Sequence, residues 1–513
     1  MLTPNEIVSA RRTPRIRWWK PGLVLLALVL LLSLLPLSSP PPAQAQEPIN
    51  QMRAFWVPAH AAGFHNHVQV DELVNNVLRA NANTIIVQMR RHGDAWYNRG
   101  SEPRAIYPGL APASEFDPLD YVIAKAHQHG IKVHAWLVVS VVCRRYDPLY
   151  GHPDHVCTEH GPEVEGVQRW TTGDVYGNQV GNLDYGHPGS IIYFESVVQD
   201  LIRDYPNVDG VHLDFIRYAG REMGYNQVSL DRFRSYYGFP ANYRPQPTDE
   251  AWSQWRRDRV TELVRRVYIR SKAIKPQIEI SMAAITWGGL GTYSPDDWPN
   301  SAAYDIVYQD WKGWLEEGII DFAVPMKYFE EGTSRTRGWY NNWLAFSRVN
   351  QGRRAIVAGT GAWLNTAGQG ISQIQRALAP DDQGRKLAGV ALYAYNQPLA
   401  GSSFERRRQF MDQLRETVFT QDAVAPHWDW VYAPTRGHLQ GIASVDGQIL
   451  SDSYVSLIKD GQWIANLPTS YDGWYGAVDL EPGRYNVLVK NEQTGAEVLH
   501  EVVIEAGLVT NGP

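Results

Sequence analysis

From Arg53 to Val418 the chain alternates strand-like and helix-like segments eight times, and few architectures accept that pattern. The strand-like runs are Arg53 to Ala59, Thr84 to Arg90, Lys132 to Ser140, Val208 to Tyr218, Glu279 to Ile285, Asp321 to Tyr328, Ala355 to Trp363 and Gly389 to Tyr395. Helix-like runs follow or separate them at Val70 to Ala80, Phe116 to His129, Ile191 to Tyr205, Trp252 to Ile274, Tyr304 to Glu317, Trp339 to Val349, Ile371 to Leu378 and Phe404 to Val418. The helix before Gly130 opens at Asp117-Pro118, as cap chemistry favours. Long insertions occupy Val141 to Pro188 and the stretch after the fourth strand. Eight such units in order predict a (β/α)8 TIM barrel over residues 46–420. A doubly wound open sheet would show a glycine-rich phosphate turn after its first strand, and here that strand runs into Pro58, Ala59 and His60.

The pattern changes after Asp422 to Pro434. From Gly437 on, short alternating strands are separated by turn pairs such as Asp446-Gly447, Asp460-Gly461, Asp472-Gly473 and Pro482-Gly483, which predicts a small all-β sandwich over residues 435–513. It holds no catalytic constellation of its own, so a spacer and a carbohydrate-binding role both fit it.

At the other end, Arg11, Arg12, Arg15, Arg17 and Lys20 precede an apolar run from Gly22 to Leu37 and a small-residue site, Ala43-Gln44-Ala45. This is the pattern of a general secretory signal peptide over residues 1–45, cleaved after Ala45, leading to secretion or to the periplasm and envelope. An uncleaved anchor is the alternative, although the run is shorter than the roughly 20 residues of a spanning helix. Outside the cytosol the two cysteines, Cys143 and Cys157, are expected to pair, closing a loop for about 3 kcal/mol against the unfolded chain.

A net charge of −6 gives no basic footprint, so nucleic acid is excluded as a partner. The 19 Trp and 27 Tyr suit large cores or stacking on sugar rings. In a barrel of parallel strands, the side chains at the C-terminal strand ends form the site. Those ends offer Trp56 and His60; Gln88, Arg90, Arg91 and Asp94; His134 and Trp136; His212, Asp214, Arg217 and Tyr218; Thr286 and Trp287; Lys327, Tyr328, Glu330 and Glu331; Thr360 and Trp363; Tyr393, Tyr395 and Asn396. Aromatic rings for sugar faces, with amides, guanidiniums and carboxylates for hydroxyls, point to a polysaccharide substrate. Trp56, Arg90, Asp94, His134, Trp136, His212, Arg217, Tyr328, Trp363 and Tyr395 are the expected substrate-binding set. Glycoside hydrolysis needs two carboxyl groups. Asp214, at the end of the fourth strand, is the expected nucleophile or base. Glu330 is the expected general acid, since the apolar-aromatic run before it would desolvate it, and Asp94 is the reserve. A solvated loop pair is the plain alternative for Glu330 and Glu331. No Gly-x-Ser-x-Gly elbow, phosphate loop or His-Glu-x-x-His motif occurs, and the histidines follow no metal-ligand spacing, so neither a cofactor nor a metal is expected.

Six motifs in order then resemble the glycosyl-hydrolase-like 10 family: R-A-F-W-V; I-I-V-Q-M-R with G-D-A-W-Y; F-D-P-L-D-Y-V-I-A-K-A-H-Q-H-G-I-K-V-H-A-W-L; N-L-D-Y-G-H-P-G; V-D-G-V-H-L-D-F-I-R-Y; and D-F-A-V-P-M-K-Y-F. The resemblance covers roughly Met52 to Arg415 and implies a secreted or lipoprotein-type TIM-barrel glycosidase, some of whose relatives act on bacterial cell-wall glycan stripped of its peptides. It also implies sugar-site roles for Arg90, Asp94, His134, Trp136, His212 and Asp214. Many relatives carry two adjacent acids where this chain has Asp214-Phe215, and a proline where it has Arg91. A glycan-binding barrel on the cell surface that does not cleave is the alternative to a hydrolase.

Overall fold

The structure is a computed structural model that describes residues 47–290, 295–401 and 403–513. The signal peptide expected over residues 1–45 lies outside them. Eight parallel strands close into a barrel: β1 Met52–Val57, β2 Thr84–Arg90, β3 Lys132–Val138, β4 Gly210–Asp214, β5 Glu279–Ala284, β6 Phe322–Lys327, β7 Ala355–Gly361 and β8 Gly389–Tyr393. Each pairs with its sequence neighbours, and β8 closes on β1. Nearly every strand residue is buried, because helices cover the outside and side chains fill the inside. That is why the strands read as apolar runs rather than clean alternations.

The outer layer consists of α1 His67–Arg79, α2 Pro118–His127, α3 Pro188–Asp204, α4 Gln227–Tyr237, α5 Glu250–Ile274, α6 Trp311–Glu317, α7 Ser334–Val349, α8 Ala367–Leu378 and α9 Phe404–Thr417. Start signals account for most boundaries. Asn66 caps α1 by accepting the Gln69 N–H, Pro188 opens α3 behind His187, and Thr366 with Gln369 forms a capping box on α8. Two elements differ from those expected. The insertion after β4 contains α4, a further helix ended by Gly238 at φ 70°. The expected helix from Tyr304 breaks, because Tyr308 adopts φ 57° and only Trp311–Glu317 continues. The insertion after β3 carries a short helix, Val156–His160, and a hairpin of Thr171–Gly173 with Gln179–Leu183, and Cys143 is disulfide-bonded to Cys157 there.

The N-terminal mouth of the barrel is plugged. Trp428 and Val431 pack beneath Met52, Phe322 and Ala355. Asp321, fully buried just before β6, ties this end together: its carboxylate accepts from the Ile280 N–H at 2.7 Å, Lys272 Nζ at 3.1 Å, Tyr268 Oη at 3.2 Å and Trp430 Nε1 at 3.1 Å.

The C-terminal sheets form the expected sandwich. Strands β9 Gly437–Ile442, β10 Tyr454–Lys459, β11 Gln462–Pro468, β12 Trp474–Leu480, β13 Gly483–Lys490, β14 Glu497–Ile504 and β15 Val509–Asn511 make two sheets, β12-β9-β15 and β11-β10-β13-β14. Leu439, Tyr475, Leu457 and Val487 lie in the core between them. The sandwich sits on α4 and α5 through ion pairs: Arg266 of α5 grips Asp472 with two nitrogens, at 2.8 and 2.9 Å, and Arg232 of α4 and Arg259 of α5 hold Asp452.

Replacing Asp321 with Ala leaves Lys272 buried without its counter-charge, and should lower unfolding stability by about 3–5 kcal/mol. Urea denaturation followed by tryptophan fluorescence measures this, and an unchanged midpoint would show the Asp321 network to be dispensable.

Candidate active site

Alternation along β4 decides which groups face inward. Val211 and Leu213 join the apolar layer beneath the helices, while His212 and Asp214 point into the barrel. The interior is therefore built in layers. At the bottom His134 Nε2 lies 3.3 Å from Glu279, which also accepts from Lys132 and, at 2.6 Å, from Tyr432 Oη. Burial pushes Glu279 up, but His134 and Lys132 outweigh it and hold its pKa at about 2. In the middle, Trp56 Nε1 donates to His212 Nε2 at 3.1 Å, and His212 Nδ1 lies 2.9 Å from Ser281 Oγ. Burial and neighbouring His134 keep His212 neutral, so its proton sits on Nδ1, and the ring fixes Trp56 rather than touching a ligand.

The top layer opens into a cavity of about 410 Å³ at the C-terminal strand ends. Asp214 lies in its wall, 7% exposed. Its Oδ2 accepts from Trp136 Nε1 at 3.1 Å and its Oδ1 from the Phe215 N–H at 2.7 Å. Burial holds the Asp214 carboxyl above the usual carboxylate range, against the opposing pull of Arg217 and these two hydrogen bonds. Phe215 takes φ 51°, where a side chain is strained, and its carbonyl is clamped by Ser140 Oγ and Tyr185 Oη. The turn ends β4 and brings Phe215 into the cavity wall. Trp56, Trp136, Tyr328, Trp363 and Tyr393 complete an aromatic enclosure, with Tyr328 and Trp363 edge-to-face at 4.8 Å and Trp363 and Tyr393 at 5.3 Å.

Of the residues expected from sequence, Trp56, Trp136, Asp214, Arg217, Tyr328 and Trp363 meet on this cavity. The others do not line it. Arg90 is fully buried and grips Glu102 through Nε and Nη2, both at 2.8 Å, with Nη1 bound to the Val138 and Val139 carbonyls. Asp94 folds its own loop, accepting from the Arg91 and His92 N–H groups and from Trp96 Nε1. His134 and His212 lie below the cavity. Tyr395 packs behind it, bonded to Asn76 at 2.9 Å beneath the Arg407 guanidinium. Glu330 is exposed, so the burial that its role as acid required is missing, and Glu331 is tied to Arg337 and Arg376. Asp214 is thus the one carboxylate lining the cavity among the described residues.

His60, Gln88, Arg91, Trp287 and Tyr393 also line it. All stood in the strand-end inventory, but nothing in the sequence separated them from their neighbours. Phe215 was hidden by the alternation, which assigns it to the outer face; only its left-handed backbone brings it to the rim. Among the described residues no group of three or more His, Cys, Asp or Glu side chains is placed to hold a metal ion.

The glycosyl hydrolase-like 10 family model matches residues 51–352. The chain is 26% identical over 333 residues to glycosyl hydrolase DigH of Escherichia coli K12, covering 59% of this chain and 71% of that protein. It is 26% identical over 283 residues to glycosyl hydrolase YngK of Bacillus subtilis, covering 51% of this chain and about half, 49%, of that one. Among solved structures, a beta-galactosidase from the psychrophilic Marinomonas ef1 aligns with TM-score 0.48 and 11% identity over 75% of this chain and 62% of that chain.

If Arg90 holds the loop rather than a ligand, Glu102→Gln should lower stability by about 3–5 kcal/mol, because it leaves a fully buried guanidinium without its counter-charge. Thermal or urea unfolding reads this directly; wild-type stability with weakened glycan binding would return Arg90 to the ligand.

Proposed function

The chain belongs to the glycosyl hydrolase-like 10 family, and from that premise we propose that it is an exported glycoside hydrolase in which Asp214 moves the proton. One observation carries the reading: a buried carboxyl, biased toward its protonated form, sits in an enclosure of aromatic rings at the mouth of a glycosidase-type barrel. Sugar rings stack on Trp136, Tyr328, Trp363 and Tyr393, and Asp214 protonates the glycosidic oxygen as the bond to the anomeric carbon breaks. Water adds to that carbon and returns its proton to Asp214. Trp136 and the Phe215 N–H aim the carboxyl throughout. The acid role expected of Glu330 is not retained, since that side chain is exposed, and Asp214, expected as nucleophile or base, takes it because burial favours its protonated form.

Export is supported by the basic, apolar and small-residue pattern ending at Ala45 and by the disulfide. No helix among the described residues is long and apolar enough to cross a membrane. The motif resemblance makes bacterial cell-wall glycan strands the first substrate to test, with an association with the wall or envelope following from it. A second reading is a barrel that binds glycan without cleaving it. What favours it is that the described residues place one carboxylate on the cavity where hydrolysis ordinarily uses two.

Asp214→Asn should reduce release of oligosaccharides from a cleavable glycan by about 10²–10⁴-fold, read by mass spectrometry, while glycan binding persists. Wild-type turnover in the variant would refute the assignment, and binding without cleavage in the wild type would establish the second reading. Cleavage should also fall on the alkaline side as Asp214 ionises. The same group links stability to pH. Its native pKa lies above that of the unfolded chain, so between the two the native state binds more protons and stability falls as pH rises. The stability of wild type relative to Asp214→Asn should therefore decline from about pH 3.9 upward and level off above the native pKa. A flat difference across that range would remove the buried acid.

A further inference from the structure

Most buried arginines of this protein have acceptors that account for their charge. Arg90 has Glu102, Arg266 has Glu195 and Asp472, Arg259 has Glu262, and Arg354 has Asp479. Arg256, with no acid, is held by the carbonyls of Arg221, Met223 and Pro247. Arg217 differs. It is 8% exposed and lines the sugar cavity, yet among the described residues it has no ion pair to any carboxylate, Nη1 donates only to the Tyr218 carbonyl at 3.2 Å, and Nε, as in Arg259 and Arg354, is buried with no partner. Asp214 is near enough to feel its charge, but both Asp214 oxygens are engaged by Trp136 and the Phe215 N–H.

The guanidinium is also immobilised. Its carbon lies 4.5 Å from the Phe215 ring centroid and 5.0 Å from that of Trp287. Aromatic faces hold the cation without neutralising it. Arg91 adds a second guanidinium to the wall. The cavity thus holds two cations, one of them packed on aromatic rings, and one carboxyl that burial biases toward neutrality, in a chain whose net charge is −6.

We propose that the glycan accepted here carries a carboxylate on its sugars, and that Arg217, assisted by Arg91, is the specificity-determining residue that reads it. A neutral ring covering Arg217 would bury donors that find no acceptor, whereas a carboxylate accepts from a guanidinium through two oxygens and supplies the missing counter-charge. Two kinds of sugar offer that group: a uronic acid, and a sugar bearing a lactyl ether whose carboxylate is free. The inference rests on the glycan reading above but does not require cleavage.

The test is equilibrium binding to the full chain, as wild type and as Asp214→Asn, followed by tryptophan fluorescence. The probes are oligosaccharides of peptide-free wall glycan strands and oligogalacturonate, each before and after chemical reduction of its carboxyl groups to alcohols. The expected result is that one acidic glycan binds at least tenfold more tightly than its reduced form, and which one it is identifies the source of the carboxylate. Arg217→Gln should bind native and reduced forms alike, with Arg217→Lys recovering part of the preference. Equal affinity for native and reduced forms in the wild type, or no binding of either acidic glycan, overturns the proposal. Tight binding of an acidic glycan that the wild type never cleaves leaves it standing and defeats the hydrolase reading instead.

Discussion

The constraint on which this protein depends is that a closed parallel barrel has an inside, and strand alternation decides what enters it. In β4 the alternation sends apolar Val211 and Leu213 outward and polar His212 and Asp214 inward. Inward polar groups must then be satisfied by other strands. Ser281 of β5 and Trp56 of β1 take the two nitrogens of His212, and Trp136 of β3 takes one oxygen of Asp214. The catalytic candidate is therefore aimed from β3, while the histidine beneath it is fixed from β1 and β5, which is how a barrel makes a precise site from short strand ends.

The same logic separates groups that hold the fold from groups left for a ligand. Glu279, Asp321 and the Arg90–Glu102 pair are buried with their hydrogen-bonding capacity largely used inside the protein. They resemble site residues by type, but their partners mark them as structural. Asp214 and Arg217 are equally buried, yet both line the cavity, and among the described residues Arg217 has no ion pair and an Nε without a partner. The left-handed backbone at Phe215 belongs with them: it stores strain where β4 ends and turns an aromatic face toward the cation.

Much of the fold was legible in the sequence because its signals are local. Eight apolar strand runs, helix starts such as Asp117-Pro118 and the turn pairs of the sandwich each carry their own physical reason, and all reappear in the structure. What could not be read was whether a polar residue at a strand end faces a partner or a cavity. Arg90 sits one residue from Arg91 and has the same chemistry, but its acid lies 12 positions away in a loop, and only folding shows that the pair is closed. Tyr395 and Tyr393 are two residues apart, and only Tyr393 lines the cavity. Glu330 failed for a related reason: an apolar run before a residue says nothing about the solvent after it.

Whether Asp214 cleaves a glycan depends first on where that glycan lies. The most direct measurement is a crystal structure of the Asp214→Asn chain with an uncleaved oligosaccharide. The predicted result is a sugar ring against Trp136, Trp363 and Tyr393, with a glycosidic oxygen within hydrogen-bonding distance of the side chain at position 214. A glycan bound only on the C-terminal sandwich, or one in the cavity whose linkages all lie out of reach of position 214, would contradict the claim that this cavity cleaves it.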